Sequence, residues 1–149
     1  MPIAIKDSKI DITSEKLTKE LAKKFIKYLK GGEFIFLYGE MGVGKTTFVK
    51  YFINALQILY NLPQTEITSP TFSLLNEYQL KDIRIKHYDL FRINRKEDIK
   101  NLDIFEKDNK LITFIEWPQL LADIQNIKSI DLTFNYSNDL NDRSVNIKV

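Results

Sequence analysis

The chain has 149 residues, 44% of them hydrophobic and 28% charged, with a formal net charge of +2. That length suits one domain with a sizeable core, and so small a charge argues against a nucleic-acid binder held by electrostatics. With no cysteine and a single histidine, disulfides, thiolate metal sites and multi-histidine cages are excluded.

The opening residues, MPIAIKDSKI, break their apolar stretch with charges, unlike a signal peptide. No segment approaches the ~20 apolar residues of a membrane span. A cytoplasmic protein without membrane contact is the expectation. Ile3/Ile5 and Ile10/Ile12 alternate, which predicts an edge strand or hairpin. Thr13 or Ser14 then caps a helix carrying Leu17, Leu21, Phe25 and Leu29 on one face and lysines on the other, stopped by Gly31-Gly32. Phe34 to Tyr38 is a continuous apolar run, as in a buried parallel strand. A glycine-rich loop follows, then an amphipathic helix with Phe48, Val49, Phe52, Ile53 and Leu56.

Residues 61–71 read as loop. FSLLNEYQL and IRIKHYDLF predict two strands joined around Lys81-Asp82, and NRKEDIKNLDIF a short helix. LITFIEW is a second buried strand, PQLLADI a helical turn opened by Pro118, and IDLTFNY with SVNIKV a terminal hairpin around SNDLND. The whole, residues 1–149, predicts a single α/β domain. A glycine-rich loop set between the first buried strand and its helix makes the expected fold a three-layer P-loop NTPase-like domain with a mixed sheet and antiparallel edge strands.

All five glycines lie between residues 31 and 44. Glycine here marks backbone that takes unusual dihedrals or comes close to a ligand. Gly39-Glu40-Met41-Gly42-Val43-Gly44-Lys45-Thr46 fits G-x-x-x-x-G-K-[ST], the phosphate-binding loop. Consecutive backbone N–H groups from Glu40 to Thr47 form an anion nest at a helix N-terminus. Lys45 adds charge near the β- and γ-phosphates. The Thr46 hydroxyl is a hard ligand for Mg²⁺, and Thr47 reaches the α-phosphate. A ligand-free strand-to-helix turn would need glycine but not Gly-Lys-Thr.

Such a loop works with a carboxylate at the end of a neighbouring strand. Glu116 and Asp89 each end a predicted strand, and only the fold can bring them together. We assign Glu116 to the metal side and Asp89 to the attacking water, with Lys45 completing the catalytic set. Thr71 offers a hydroxyl from the loop before the strand pair. His87 reads as structural, Trp117 as a packed aromatic, and Arg92 as an exposed salt-bridge former. Neither N-K-x-D nor D-x-x-G occurs, which favours ATP over GTP.

YGEMGVGKTTF, TSPTFSL, HYDLFR and IEWPQ, in that order and at those intervals, resemble the TsaE (YjeE) family of bacterial tRNA threonylcarbamoyladenosine synthesis, over residues 13–136. The resemblance implies an ATPase that supports turnover of a TsaD–TsaB complex modifying the adenosine beside the anticodon. It implies contact with tRNA only through that complex. It places Mg²⁺ on Thr46 and Glu116, makes Asp89 necessary for activity, and puts the helix start, Ser14 to Thr18, beside the adenine. Met41 and Val43 depart from the family's commoner residues, and NLDIF lacks the glycine that usually follows its acidic helix. Two other readings stand beside it: a nucleotide-gated binding module with incidental hydrolysis, and a small P-loop kinase.

Overall fold

The computed structural model describes residues 8–121, 127–137 and 141–149. Seven strands form one sheet: β1 (Ser8–Asp11), β2 (Phe34–Tyr38), β3 (Leu75–Leu80), β4 (Ile83–Asp89), β5 (Leu111–Glu116), β6 (Ser129–Ser137) and β7 (Asp142–Lys148). Their order is β1-β7-β6-β2-β5-β4-β3. The central pairs β6–β2, β2–β5 and β5–β4 are parallel, whereas β1–β7, β7–β6 and β4–β3 are antiparallel. The expected mixed sheet with antiparallel edges is therefore present. Ile3 and Ile5 lie outside the described residues, as do parts of PQLLADI and SNDLND.

Two helices, α1 (Glu15–Tyr28) and α2 (Lys45–Leu59), cover one face. Ser14 rather than Thr13 caps α1, its hydroxyl accepting from the Leu17 N–H at 3.2 Å. The helix ends before the glycine pair, at Leu29, whose N–H donates to the Phe25 carbonyl. Phe48 on α2 meets Phe25 edge-on at 5.4 Å, Phe134 at 6.1 Å and Phe114 at 6.5 Å, while Phe52 meets Phe114 at 5.1 Å. This aromatic cluster clamps both helices to β5 and β6. Truncating one such ring to alanine typically costs about 3–5 kcal/mol.

β2 is buried on both faces, as its unbroken apolar run requires. Ile35 and Leu37 pack under the helices, whereas Phe34 and Phe36 join Tyr88, Leu90, Ile99, Ile104, Ile115 and Leu121 on the other face. The third layer over that second face consists of 3-10 segments, Lys96–Leu102 and Pro118–Leu121. Asp103 follows the first of these with φ +50°, taking the left-handed conformation at a place where glycine would be unstrained.

Candidate functional site: the phosphate loop and its two carboxylates

The loop between β2 and α2 turns back over the end of the sheet. Gly39, at φ +144°, has no room for a side chain: a Cβ there would come within 2.8 Å of the Phe134 carbonyl and 2.9 Å of Val43 Cγ1. Glycine thus lets the loop lie directly on β6. Val43 is fully buried beneath the loop, Glu40 is exposed, and the helix begins at Lys45.

A cavity of about 220 Å³ opens at this helix start. It is lined by Met41, Gly42 and Gly44 to Thr47 of the loop, Ser69 and Thr71, Asp89 and Phe91, and Glu116 and Trp117. A larger cavity, about 670 Å³, lies away from these groups and is bordered by Gly31, Gly32, Lys27, Lys30 and Lys128. Volume is no guide here; the chemistry gathers in the smaller one.

The carboxylates meet by strand register. β4 and β5 run parallel with Asp89 opposite Glu116. Glu116 Oε2 accepts from Thr46 Oγ1 at 2.7 Å and lies 2.6 Å from His87 Nε2. Asp89 Oδ2 accepts from Thr71 Oγ1 at 3.2 Å, and its Oδ1 accepts from the Phe91 N–H at 3.0 Å. Thr71 Oγ1 is in turn 2.6 Å from Ser69 Oγ, so the loop before β3 is fastened to Asp89.

Lys45 is nearly buried. Its ammonium donates to the Gly39 carbonyl at 2.6 Å and sits 3.8 Å above the Trp117 ring. Burial pulls its pKa down, opposed by the charges of Glu116 and Asp89. Trp117 holds φ +57°, strained for a residue with a bulky side chain, and its ring also contacts Phe91 at 4.8 Å. The strained tryptophan is a wall of the site as well as a packed aromatic.

The donor set fits a magnesium-bound nucleotide. Among the described residues no three His, Asp or Glu gather into a cage. A nucleotide-bound Mg²⁺ needs no such cage, because in general one or two protein oxygens with phosphates and water complete its shell. The Thr46 hydroxyl and Glu116 carboxylate supply such oxygens.

Ser14 and Thr18, the other residues expected near the nucleotide, lie at the start of α1. Ser14 caps α1, and the Thr18 hydroxyl is buried, donating toward the carbonyls of Ile12 and Ser14; neither lines the cavity. The side chains that reach the loop from this flank are Tyr136 and Arg143, paired across β6 and β7. A Cβ on Gly42 would lie 3.6 Å from the Tyr136 hydroxyl, and one on Gly44 would lie 3.8 Å from Arg143 Nη1. Arg92 makes no ion pair among the described residues; its guanidinium lies 5.2 Å from the Phe72 ring centroid. His87, Trp117, Tyr136 and Arg143 were not singled out for the site by sequence reasoning. For His87 the signal was available: it stands two residues before Asp89, on the same face of one strand.

Comparison with known proteins agrees with this geometry. A family model described as threonylcarbamoyl adenosine biosynthesis protein TsaE matches residues 12–145. Proteins named tRNA threonylcarbamoyladenosine biosynthesis protein TsaE are similar over most of the chain. The one from Rickettsia conorii is 37% identical over 74% of this chain, which spans only 61% of that relative's length. The one from Rickettsia bellii is 33% identical over 89% of this chain and 90% of its own, and that from Aquifex aeolicus 36% over 72% and 74%. A crystal structure of Bacillus subtilis YdiB shares the fold, with a TM-score of 0.71 at 23% identity, covering 96% of this chain and 85% of the other. A P-loop NTPase-like sheet, a phosphate loop followed by Lys45-Thr46, and a family match across most of its length together make this chain a member of the TsaE family.

Proposed function

We propose that this chain binds ATP with Mg²⁺ in the loop from Glu40 to Thr47 and hydrolyses it. The ATPase would support threonylcarbamoyl modification of the tRNA adenosine beside the anticodon, through a TsaD–TsaB complex. The observation that carries the reading is the register of Asp89 against Glu116, facing the start of α2. A helix start that only bound phosphate has no need of two carboxylates.

In this mechanism the backbone N–H groups of Gly42 to Thr47 hold the phosphates at the positive end of α2. Lys45 leaves the Gly39 carbonyl and the Trp117 ring for the β- and γ-phosphates. Thr46 and Glu116 would hold Mg²⁺, which when bound would supply positive charge beside the phosphate oxygens. Asp89, kept in place by Thr71 and the Phe91 N–H, orients the attacking water. Tyr136 and Arg143 flank the loop on the side away from the carboxylates, where the nucleoside end of an extended nucleotide must emerge.

Partner docking has its own support. Met41 and Phe91, which line the cavity, are exposed by 64% and 47%, and Phe72, next to the lining Thr71, by 84%. A TsaD–TsaB complex seated on these apolar groups would cover them and close the site against water. Steady-state phosphate release from the chain alone and with saturating TsaD–TsaB tests the reading. A rise of ~10³-fold is expected if the partner supplies an arginine. Equal rates would refute partner activation. Arg92→Ala distinguishes an internal arginine, because loss of hydrolysis with partner binding intact would place that charge in this chain.

A further inference from the structure

We propose that His87 is a positioning residue for the metal-side carboxylate, setting the orientation in which Glu116 offers its free oxygen. This rests on the reading above in which Glu116 serves Mg²⁺. His87 is completely buried in β4, on the face that also carries Ile85 and Asp89. Its Nε2 lies 2.6 Å from Glu116 Oε2, the oxygen that also accepts from Thr46 Oγ1 at 2.7 Å. With Glu116 as the carboxylate that the metal reading requires, its oxygen can only accept, so His87 carries its proton on Nε2 and two donors, one from the central sheet and one from the start of α2, converge on Oε2. Among the described residues Oε1 has no hydrogen-bond partner.

A glutamate has three side-chain torsions, and the last is broad. A donor at α2 alone would let the carboxylate follow Thr46 when that hydroxyl turns toward a metal. The second donor lies on a strand whose backbone is paired on both sides, with His87 opposite Phe114 of β5 and Asn76 of β3. It ties the carboxylate to the sheet, so Oε2 stays where it is and Oε1 remains open toward the cavity.

The imidazole's other nitrogen argues that this bond is why a histidine is here. Among the described residues Nδ1 is buried without a hydrogen-bond partner. An unpaired buried polar atom is a cost, and a leucine or phenylalanine would fill the same space without it. The ring bears that cost at Nδ1 while Nε2 makes a short bond to a buried carboxylate. Partners standing behind metal ligands orient them in this way, and losing one typically lowers metal affinity by ~10–100-fold.

The test compares His87→Leu, His87→Gln and His87→Asn by calorimetric titration of ATP without metal, then of Mn²⁺ into the ATP complex. Thermal melts identify the folded variants. Glutamine carries an N–H at the ε position and reaches Glu116, whereas asparagine carries one at the δ position and falls short. For His87→Leu we expect Mn²⁺ affinity to fall ~10-fold or more, with metal-free ATP affinity changed less than about 2-fold. His87→Gln should restore most of the loss and His87→Asn should not. Unchanged Mn²⁺ affinity in folded His87→Leu overturns the proposal, as does equal weakening of metal-free ATP. If the leucine variant does not fold, glutamine and asparagine variants of equal Mn²⁺ affinity overturn it instead. Wild-type protein that binds ATP with no added affinity for Mn²⁺ would overturn the metal reading of Glu116 itself, a distinct result.

Discussion

Asp89 and Glu116 stand directly opposite one another on adjacent parallel strands, 27 positions apart in the chain, each ending its strand beside the start of α2. The parallel register gives them a common depth in the cavity, and their different partners give them different tasks. Glu116 shares an oxygen between Thr46 and His87, whereas Asp89 is bonded to Thr71 and the Phe91 backbone. Substitutions that keep shape and remove charge should therefore separate. Asp89→Asn is expected to bind Mg-ATP normally and hydrolyse it ~10²-fold more slowly or worse. Glu116→Gln is expected to raise the Mg²⁺ requirement ~10-fold. Phosphate release measured across a Mg²⁺ titration reads both effects, and superimposable curves for the two variants would refute the division of labour.

Lys45→Ala removes the one full positive charge on the loop. A charge-assisted hydrogen bond is worth about 1.5–3 kcal/mol, so ATP affinity should fall by ~10–100-fold, at ~1.4 kcal/mol per tenfold. Calorimetry is the check. Unchanged affinity would mean that the ammonium stays on the Gly39 carbonyl and never reaches phosphate.

Arg143 lies beside Gly44 on the flank away from the carboxylates, its backbone held by Thr13 through the Arg143 N–H at 3.1 Å. If it meets the nucleoside rather than the phosphates, Arg143→Ala should weaken ATP binding ~10-fold, or ~1.4 kcal/mol, and leave tripolyphosphate binding unchanged. Competition assays with the two ligands decide. A parallel loss for both would move Arg143 to the phosphates.

Gly31 and Gly32 form a matched pair for stability. A Cβ on Gly31, at φ +111°, would lie 2.1 Å from the Asn109 carbonyl oxygen, whereas the nearest atoms to one on Gly32 are 3.7 Å away. Gly32→Ala bears only left-handed strain, of order 1–2 kcal/mol. Gly31→Ala must also displace backbone and should cost more than about 3 kcal/mol. Urea midpoints test the order, and equal losses would contradict it.

Acid should loosen the contact between β4 and the segment after the first 3-10 turn. Glu106 accepts from Lys86 at 2.7 Å and from Arg84, and these bonds, Lys86 first, hold its carboxyl below the ordinary 4.5. A lowered folded-state value means stability that is fully present above pH 4.5 and is lost as the pH falls through the folded-state value. The stability gap between wild type and Glu106→Gln should accordingly hold above pH 4.5 and narrow as the pH falls below it. A gap of constant size would exclude the linkage.

Much of this was readable from the residues. FIFLY and LITFIE announced central strands because burial on both faces leaves no polar alternation. The glycine loop announced itself because few other uses require Gly-Lys-Thr after a strand. What escaped depends on pairing, which has no local signature. His87 looks like any core histidine until the β4–β5 register brings it to Glu116. Arg143 looks like a solvent-facing hairpin residue until strand order lays β6 and β7 beside the loop. NRKEDIKNLDIF carries a helical composition, yet it folds as a 3-10 segment ended at Asp103.

Strand order also dictates when the sheet can close. β2 lies between β5 and β6, both encoded far downstream, and among the described residues β1 pairs only with β7, Ser8 opposite Ile147 and Asp11 opposite Ser144. A ribosome that has just released FIFLY has made no strand to receive it. Such long-range pairing is slow to nucleate, so both edges of the most apolar strand stay open through most of synthesis. That interval is when the chain is most exposed to edge-to-edge association with its own copies. Low temperature or a chaperone that covers extended segments during translation would therefore improve its yield more than any change at the finished protein's surface.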